Sequence, residues 1–200
     1  MRNSDRMDQD LVDEIEYMEE VLSKSGFFSK SEIIEIMEDQ FIEEEIDFSD
    51  FDVSKNTSSN ENFSRLEDVF ASLKDEKIVA IHNCGFDIEE GVADAFELFV
   101  HLHNNKFAAE GFCFYTFDDV EEAIWEEKLK ITFGDFENDE ANALEIGKTV
   151  SKYLKEADFS INWDETINNQ IEINPFKWDK SYDDEKEYEI EGAYEVYIKN

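Results

Sequence analysis

The residues best suited to chemistry lie in one stretch, IVAIHNCGFDIEEG, at positions 78–91. Its polar members form a candidate pocket of His82, Asn83, Cys84, Asp87 and Glu90. A thiol and an imidazole within hydrogen-bonding reach can act as nucleophile and base, and a carboxylate can orient the imidazole. Because alternate side chains of a strand point to one face, His82 and Cys84 are expected to share a face.

The same stretch also has an interpretation that involves no chemistry. Acidic surroundings without a nearby Lys or Arg raise the pKa of a thiol and weaken it as a nucleophile. Gly85 permits a tight turn, and Asn83 and Asp87 can satisfy the free amides at the start of the next helix. The sequence favours a structural turn, and it leaves catalysis and small-ligand binding open as alternatives.

No other motif predicts catalysis or a cofactor. His101 and His103 would diverge by about 200° on a helix. The chain contains no CxxC, HExxH, GxGxxG, GxxxxGK or GxSxG pattern, so the usual zinc, phosphate-binding and nucleophile-elbow signatures are missing. We therefore expect no catalytic residue, no metal site and no cofactor.

Charge is the dominant feature of the composition. The chain has 53 acidic and 18 basic residues and a net charge of −35, yet 41% of it is hydrophobic and 14% aromatic. Disordered acidic chains are poor in aromatics, so a folded core is expected. Strong negative charge repels nucleic acids and anionic membranes and attracts basic proteins. We expect a basic protein partner, no direct nucleic-acid binding and no membrane association.

Two further features favour a cytoplasmic location. Cys84 and Cys113 both lie in apolar runs, as buried free thiols do in a reducing compartment. The first residues are polar and do not resemble a signal peptide, and no apolar run reaches the roughly 20 residues of a membrane span.

Element order predicts an α+β or α/β fold. Residues 1–53 are predicted as an N-terminal helical hairpin, 54–62 as a polar linker and 63–200 as the main domain. Gly26 is expected to end the first helix and Ser29 to cap the second. The main domain should hold a mixed sheet of five or six strands covered by helices. Expected strands occupy 78–84, 111–117, 129–136, 158–163, 170–176 and the tail 188–198, and expected helices occupy 62–74, 88–104, 118–128 (capped by Asp118) and 138–157.

The chain also resembles a bacterial family of uncharacterised proteins, a domain of unknown function. The resemblance rests on GFFSKSEIIEIMEDQF, SRLEDVFASLKDEKIVAIHNCG, GFCFYTFDDVEEAI and INWDETINNQIEINPFKW, which occur in the family's order. Some relatives have paired cysteines after the first strand. Here only Cys84 is present, so the resemblance carries no metal or redox role to this chain. It implies no established activity.

Acidic segments with embedded aromatics are the predicted partner surface. Charge steers a basic partner and an exposed aromatic side chain anchors it. The predicted partner-binding residues are Glu43, Glu44, Glu45, Asp47, Phe48, Asp50, Phe51, Trp125 and Glu126. The leading hypothesis is an immunity or antitoxin-like protein that occludes a basic toxin or nuclease. The alternatives are a nucleic-acid-mimicking adaptor of a host protein, and an enzyme or ligand-binding domain that uses the 82–90 turn.

Overall fold

The computed structural model describes residues 9–44, 46–48, 51–54 and 59–199 of the 200-residue chain. Within these residues it contains seven α-helices and one five-stranded mixed sheet, which confirms the α+β class. The helices are α1 (Gln9–Ser25), α2 (Lys30–Gln40), α3 (Glu61–Ser72), α4 (Ile88–Asn104), α5 (Phe117–Glu126), α6 (Glu140–Glu156) and α7 (Glu189–Ile198). The strands are β1 (Ile78–Ile81), β2 (Gly111–Phe114), β3 (Leu129–Asp135), β4 (Ile161–Asn162) and β5 (Ile171–Ile173).

The described residues form two compact units. One is drawn from Met1–Ser59 and Lys180–Asp184, and the other from Asn60–Asp179 and Glu185–Asn200. The predicted linker at 54–62 lies partly outside the described residues, since 55–58 are among those not described. Its last two residues, Glu61 and Asn62, belong to α3.

The first unit contains the helical hairpin of α1 and α2. As predicted, α1 ends just before Gly26, which has a φ of +71°. Ser29 caps α2 through a capping box, in which its hydroxyl accepts from the Glu32 amide and the Glu32 carboxylate accepts from the Ser29 amide. Both helix-boundary predictions are therefore confirmed.

The second unit is built on the sheet, whose strand order is β1-β2-β3-β5-β4. β1 and β2 pair in parallel, and the other neighbours are antiparallel. α4 makes the crossover between the two parallel strands, as a parallel connection requires. One side of the unit is a cluster of buried side chains from β1, β2, α4 and α7, including Val79, Ile81, Leu98, Phe112 and Phe114.

The C-terminal segment corrects the sequence interpretation. Residues 188–198 were predicted as a strand, and the structure forms helix α7 over Glu189–Ile198. The apolar residues of this segment also recur at helical spacing, and this periodicity decides the outcome because it places five of them against the core. They are Ile190, Ala193, Tyr194, Tyr197 and Ile198.

A second correction concerns the cap of α5. Asp118 was expected to cap this helix, but it lies inside the first turn. The cap is Thr116, whose hydroxyl accepts from the Asp119 amide, while the Asp119 carboxylate accepts from the Thr116 amide. This reciprocal pair satisfies two free amides at once, which Asp118 cannot do from within the helix.

Candidate functional site

The 82–90 segment is a tight turn that follows β1. The strand ends at Ile81, and the chain then passes through left-handed conformations at Asn83 (φ 51°) and Gly85 (φ 70°). A Cβ on Gly85 would approach the Glu90 Cβ to 2.7 Å, so the turn requires glycine. Three backbone hydrogen bonds hold the turn against the segment that follows β2. The Cys84 amide donates to the Tyr115 carbonyl, the Phe117 amide to the Gly85 carbonyl and the Asp118 amide to the Phe86 carbonyl.

The two carboxylates of the turn bind backbone amides. Asp87 is the N-cap of α4, and its side chain accepts from the Glu90 amide at 3.0 Å. The Glu90 carboxylate accepts from the Phe86 amide at 2.9 Å. The predicted role of Asp87 at the helix start is thus confirmed, and both acids have a structural function.

Asn83 does not contribute to the helix start as expected. Its amide nitrogen donates to the Glu189 carboxylate at 3.0 Å, which links the turn to the first residue of α7. Its side-chain oxygen is buried and has no hydrogen-bond partner among the described residues. Asn83 therefore fastens the C-terminal helix to the turn.

Cys84 is fully buried in the core. Its thiol donates to the Gly91 carbonyl, and its neighbours include Ala95 and Leu98. Burial raises the pKa of the Cys84 thiol well above its usual value, and the negative charges of Asp94 and Glu189 raise this pKa further. Because a neutral, buried thiol is a poor nucleophile, the geometry does not support the catalytic alternative at this cysteine.

His82 points away from this core, so the expectation that it shares a face with Cys84 is wrong. The strand ends before His82, and alternation no longer applies beyond it. The His82 ring stacks on Phe70 with centroids 4.5 Å apart, and it meets Tyr188 edge-on at 5.8 Å. Its Nδ1 is hydrogen-bonded to the buried hydroxyl of Tyr115 at 2.8 Å.

His82 forms part of the floor of a cavity of about 310 Å³, which we call the acidic pocket. Phe70, Ala80 and Tyr188 line it with His82. The other four candidate pocket residues of the sequence do not line it. Six acidic residues also line it: Glu67, Asp68, Glu185, Glu187, Glu189 and Glu195.

Two lysines also line the acidic pocket, and both are paired with its acids. Lys186 binds Glu67 at 3.0 Å, and Lys199 binds Glu195 at 3.1 Å. The lining therefore keeps a large excess of negative charge over an aromatic floor. A cation placed there would meet carboxylates and ring faces together, the two groups that attract ammonium and guanidinium ions.

Most of the acidic pocket was not identified from the sequence. Its walls come from α3 and from residues 185–199, which are far apart along the chain. The tail DDEKEYEIEGAYE carries a signal, since it mixes acids with tyrosines as partner-binding surfaces do. Because this tail was predicted as a strand, the sequence did not indicate that Tyr188 and Glu195 line the same cavity.

The predicted partner surface of the first unit is only partly exposed. Glu43 and Glu44 form an exposed turn of 3-10 helix, and Asp47 is exposed. Glu45 and Asp50 lie outside the described residues.

Phe48 is a correction to the predicted surface. It is only 1% exposed and packs against Phe41 and Phe51, and Phe51 is half-buried. Phe48 was expected to be an exposed anchor. It is instead buried because Phe41, Phe48 and Phe51 pack together, and this packing removes their apolar surface from water.

Trp125 and Glu126 belong to the second unit, at the end of α5. Trp125 is 41% exposed. Glu126 is exposed and forms an ion pair with Lys128 at 2.8 Å. Both residues are accessible, as the predicted surface requires.

Two kinds of feature are absent from the described residues. They contain no group of three or more His, Cys, Asp or Glu side chains arranged to hold a metal ion. They also contain no helix that is long and apolar enough to cross a membrane.

Most of the chain matches a known family. The model of a family described as Domain of unknown function (DUF6891) matches residues 8–182. No curated protein and no solved structure matches the chain.

Proposed function

The chain belongs to this family of unknown function, and we propose that it is a non-catalytic acidic binding protein that neutralises a basic protein by direct contact. In its most specific form it is an immunity or antitoxin-like protein whose partner is a basic toxin or nuclease. The observation that carries the proposal is the acidic pocket, with six carboxylates around a floor of Phe70, His82 and Tyr188. A single Lys or Arg side chain of a partner matches this pocket in charge and in its affinity for rings.

The charge of the whole chain supports the same proposal. A net charge of −35 far exceeds the roughly 2–8 that keeps a small domain soluble. It accelerates the encounter with a basic protein and opposes direct binding to nucleic acid. A cytoplasmic location is part of the proposal, because both cysteines are buried free thiols.

The proposed contact has two parts with different roles. Exposed acids such as Glu43, Glu44 and Asp47 act at long range and set the association rate. The acidic pocket acts at short range, where desolvated cation–ring and charge-assisted contacts set the dissociation rate. Loss of acids at the pocket should therefore shorten the lifetime of the complex, whereas loss of acids elsewhere should slow its formation.

The test begins with affinity capture from the native organism, followed by purification of the captured protein. The purified partner should be basic, and its enzymatic or toxic activity should be inhibited at one equivalent of this protein. Association should slow steeply as ionic strength rises. The matched variants are E185Q/E187Q at the acidic pocket and E43Q/E44Q in the other unit, since each removes two exposed charges.

Three results would decide the matter. Faster dissociation for E185Q/E187Q, with little change in dissociation for E43Q/E44Q, supports the proposal. A basic host protein that is captured but keeps its activity favours the nucleic-acid-mimicking adaptor. A stoichiometric metabolite that co-purifies, without any basic partner, favours the ligand-binding alternative and overturns the proposal.

A further inference from the structure

A second cavity of about 370 Å³, here named the lysine pocket, lies along one face of α6. Lys148, Ser151, Lys152 and Lys155 line it at positions i, i+3, i+4 and i+7, the spacing of one helix face. Trp163, which follows β4, forms another wall. Three lysines within eight residues are a local reversal of sign in a chain with 53 acidic residues.

Ser151 has an unmet hydrogen bond in this pocket. Its side chain lines the cavity and is only 3% exposed, and its hydroxyl has no partner among the described residues. A helical hydroxyl usually donates to the carbonyl four residues earlier, as Thr149 does to Glu145 at 2.9 Å. A buried hydroxyl without a partner is destabilising, so this one is suited to bind something that enters the pocket.

The lysines differ in how strongly they are neutralised. Lys148 is paired with Glu145 at 2.7 Å, whereas Lys152 and Glu156 are 3.9 Å apart, both largely exposed. Lys155 forms no ion pair within the part of the chain that the structure describes. Lys152 and Lys155 are therefore the least neutralised of the lysines that line the pocket with Ser151.

The indole of Trp163 lines the lysine pocket and is held in place by its neighbours. Its Nε1 donates to the carbonyls of Thr166 and Asn169, both at 3.1 Å. Phe133 meets the ring edge-on with centroids 5.2 Å apart, which fixes its position. A fixed ring next to ammonium groups offers a surface for the organic part of an anionic ligand.

We propose that the lysine pocket binds a small phosphate monoester. The ammonium groups of Lys152 and Lys155 neutralise the phosphate, the Ser151 hydroxyl donates to one of its oxygens, and the organic part packs on Trp163. Glu156 and Glu165 also line the pocket. Their carboxylates repel a bare anion but accept hydrogen bonds from hydroxyl groups, so a phosphorylated sugar binds better than phosphate alone.

The experiment is a titration of ¹⁵N-labelled full-length protein with ribose 5-phosphate, with ribose and inorganic phosphate as separate arms. The readouts are the backbone amides of residues 148–155 and the indole signal of Trp163. Ribose 5-phosphate should give saturating shifts at these positions, inorganic phosphate should bind more weakly, and ribose should give none. K155Q should weaken the affinity about tenfold, the loss of one charge-assisted contact.

Two further variants make the test specific. S151A removes the unmet donor without adding bulk, so it should fold normally and still weaken binding. K106Q removes one exposed lysine outside the pocket and changes the net charge of the chain by the same amount as K155Q. Equal weakening by K106Q and K155Q, or unshifted signals at millimolar ribose 5-phosphate, would overturn the proposal. It is independent of the basic partner, since it uses different residues and a different readout.

Discussion

The hydroxyl of Tyr115 is hydrogen-bonded to Nδ1 of His82 at 2.8 Å, and this contact connects the core to the floor of the acidic pocket. Tyr115 is fully buried one residue beyond β2, and His82 lies one residue beyond β1. Burial raises the pKa of Tyr115 well above its usual value, and Tyr188 and Glu67 raise this pKa further, so the hydroxyl keeps its proton. The parallel pairing of β1 and β2 brings the two side chains together.

Substitution Y115F should lower the free energy of unfolding by about 1–2 kcal/mol, because it removes the hydrogen bond between the buried hydroxyl and His82. Urea unfolding followed by circular dichroism measures this change. Y153F is the matched control: Tyr153 also donates a hydrogen bond, to Glu76 at 2.8 Å, but at an exposed site. The control should change the free energy of unfolding by no more than about 0.5 kcal/mol. Equal effects of the two substitutions would contradict a structural role for the buried pair.

Asp179 should contribute strongly to stability, because its carboxylate caps α3 from far along the chain. It accepts from the amides of Glu61, Asn62 and Phe63 at 2.9–3.0 Å. D179A should therefore cost roughly 2 kcal/mol or more, at the upper end of measured cap losses. The comparison is D139A, which removes the exposed cap of α6 and should cost about 1 kcal/mol. Thermal or urea unfolding of both variants measures the two decreases in the free energy of unfolding. A smaller decrease for D179A than for D139A would contradict the prediction.

Local patterns of the sequence predicted the elements that depend on neighbouring residues. Helix α4 was predicted at 88–104 and lies at Ile88–Asn104, because its apolar spacing and the Asp87 cap are both local signals. The first three strands begin at the residues that their short apolar runs predicted, but β1 and β2 each end three residues earlier than expected. The α7 segment was not, because its residues fit both a strand and a helix, and only contact with the Val79 and Leu98 cluster selects the helix.

The candidate site was predicted less well, because it depends on contacts between distant segments. His82 was named as a pocket residue and does line a cavity, but its neighbours Tyr188 and Glu195 follow more than a hundred residues later. Phe48 was expected to be exposed because acids surround it in sequence. Its burial depends on Phe41 and Phe51, a tertiary contact that charge patterning does not report.

Alkaline pH should destabilise the protein through its two thiols. Burial raises the pKa of Cys113 well above its usual value, as it does for Cys84, so in the native state both thiols keep their protons above pH 9. The unfolded chain releases them there, so unfolding releases protons and the free energy of unfolding falls as pH rises. Each thiol contributes a slope of up to about 1.4 kcal/mol per pH unit above its unfolded pKa.

Urea unfolding between pH 7 and 10.5 measures this slope, and C84A/C113A is the variant that should flatten it. A thiol reagent gives a second readout: at pH 8 both cysteines should react slowly in the native protein and rapidly in urea. Rapid labelling of native Cys84 would contradict its burial and would revive the catalytic alternative.

Gly192 should be required for the shape of the acidic pocket. It lies in the first turns of α7, and a Cβ there would collide with the carbonyl oxygen of Glu187. Because that carbonyl belongs to the backbone, the strain of G192A must displace the 185–189 segment, which supplies three of the pocket's carboxylates. We expect a loss of about 1–3 kcal/mol in the free energy of unfolding, the usual cost of overpacking.

E191A is the matched control, since it places alanine at the adjacent exposed position. Hydrogen exchange should accelerate at 185–189 in G192A and stay unchanged in E191A. If the proposed function holds, G192A should also speed dissociation of the basic partner, because Tyr188 and Glu189 move with this segment.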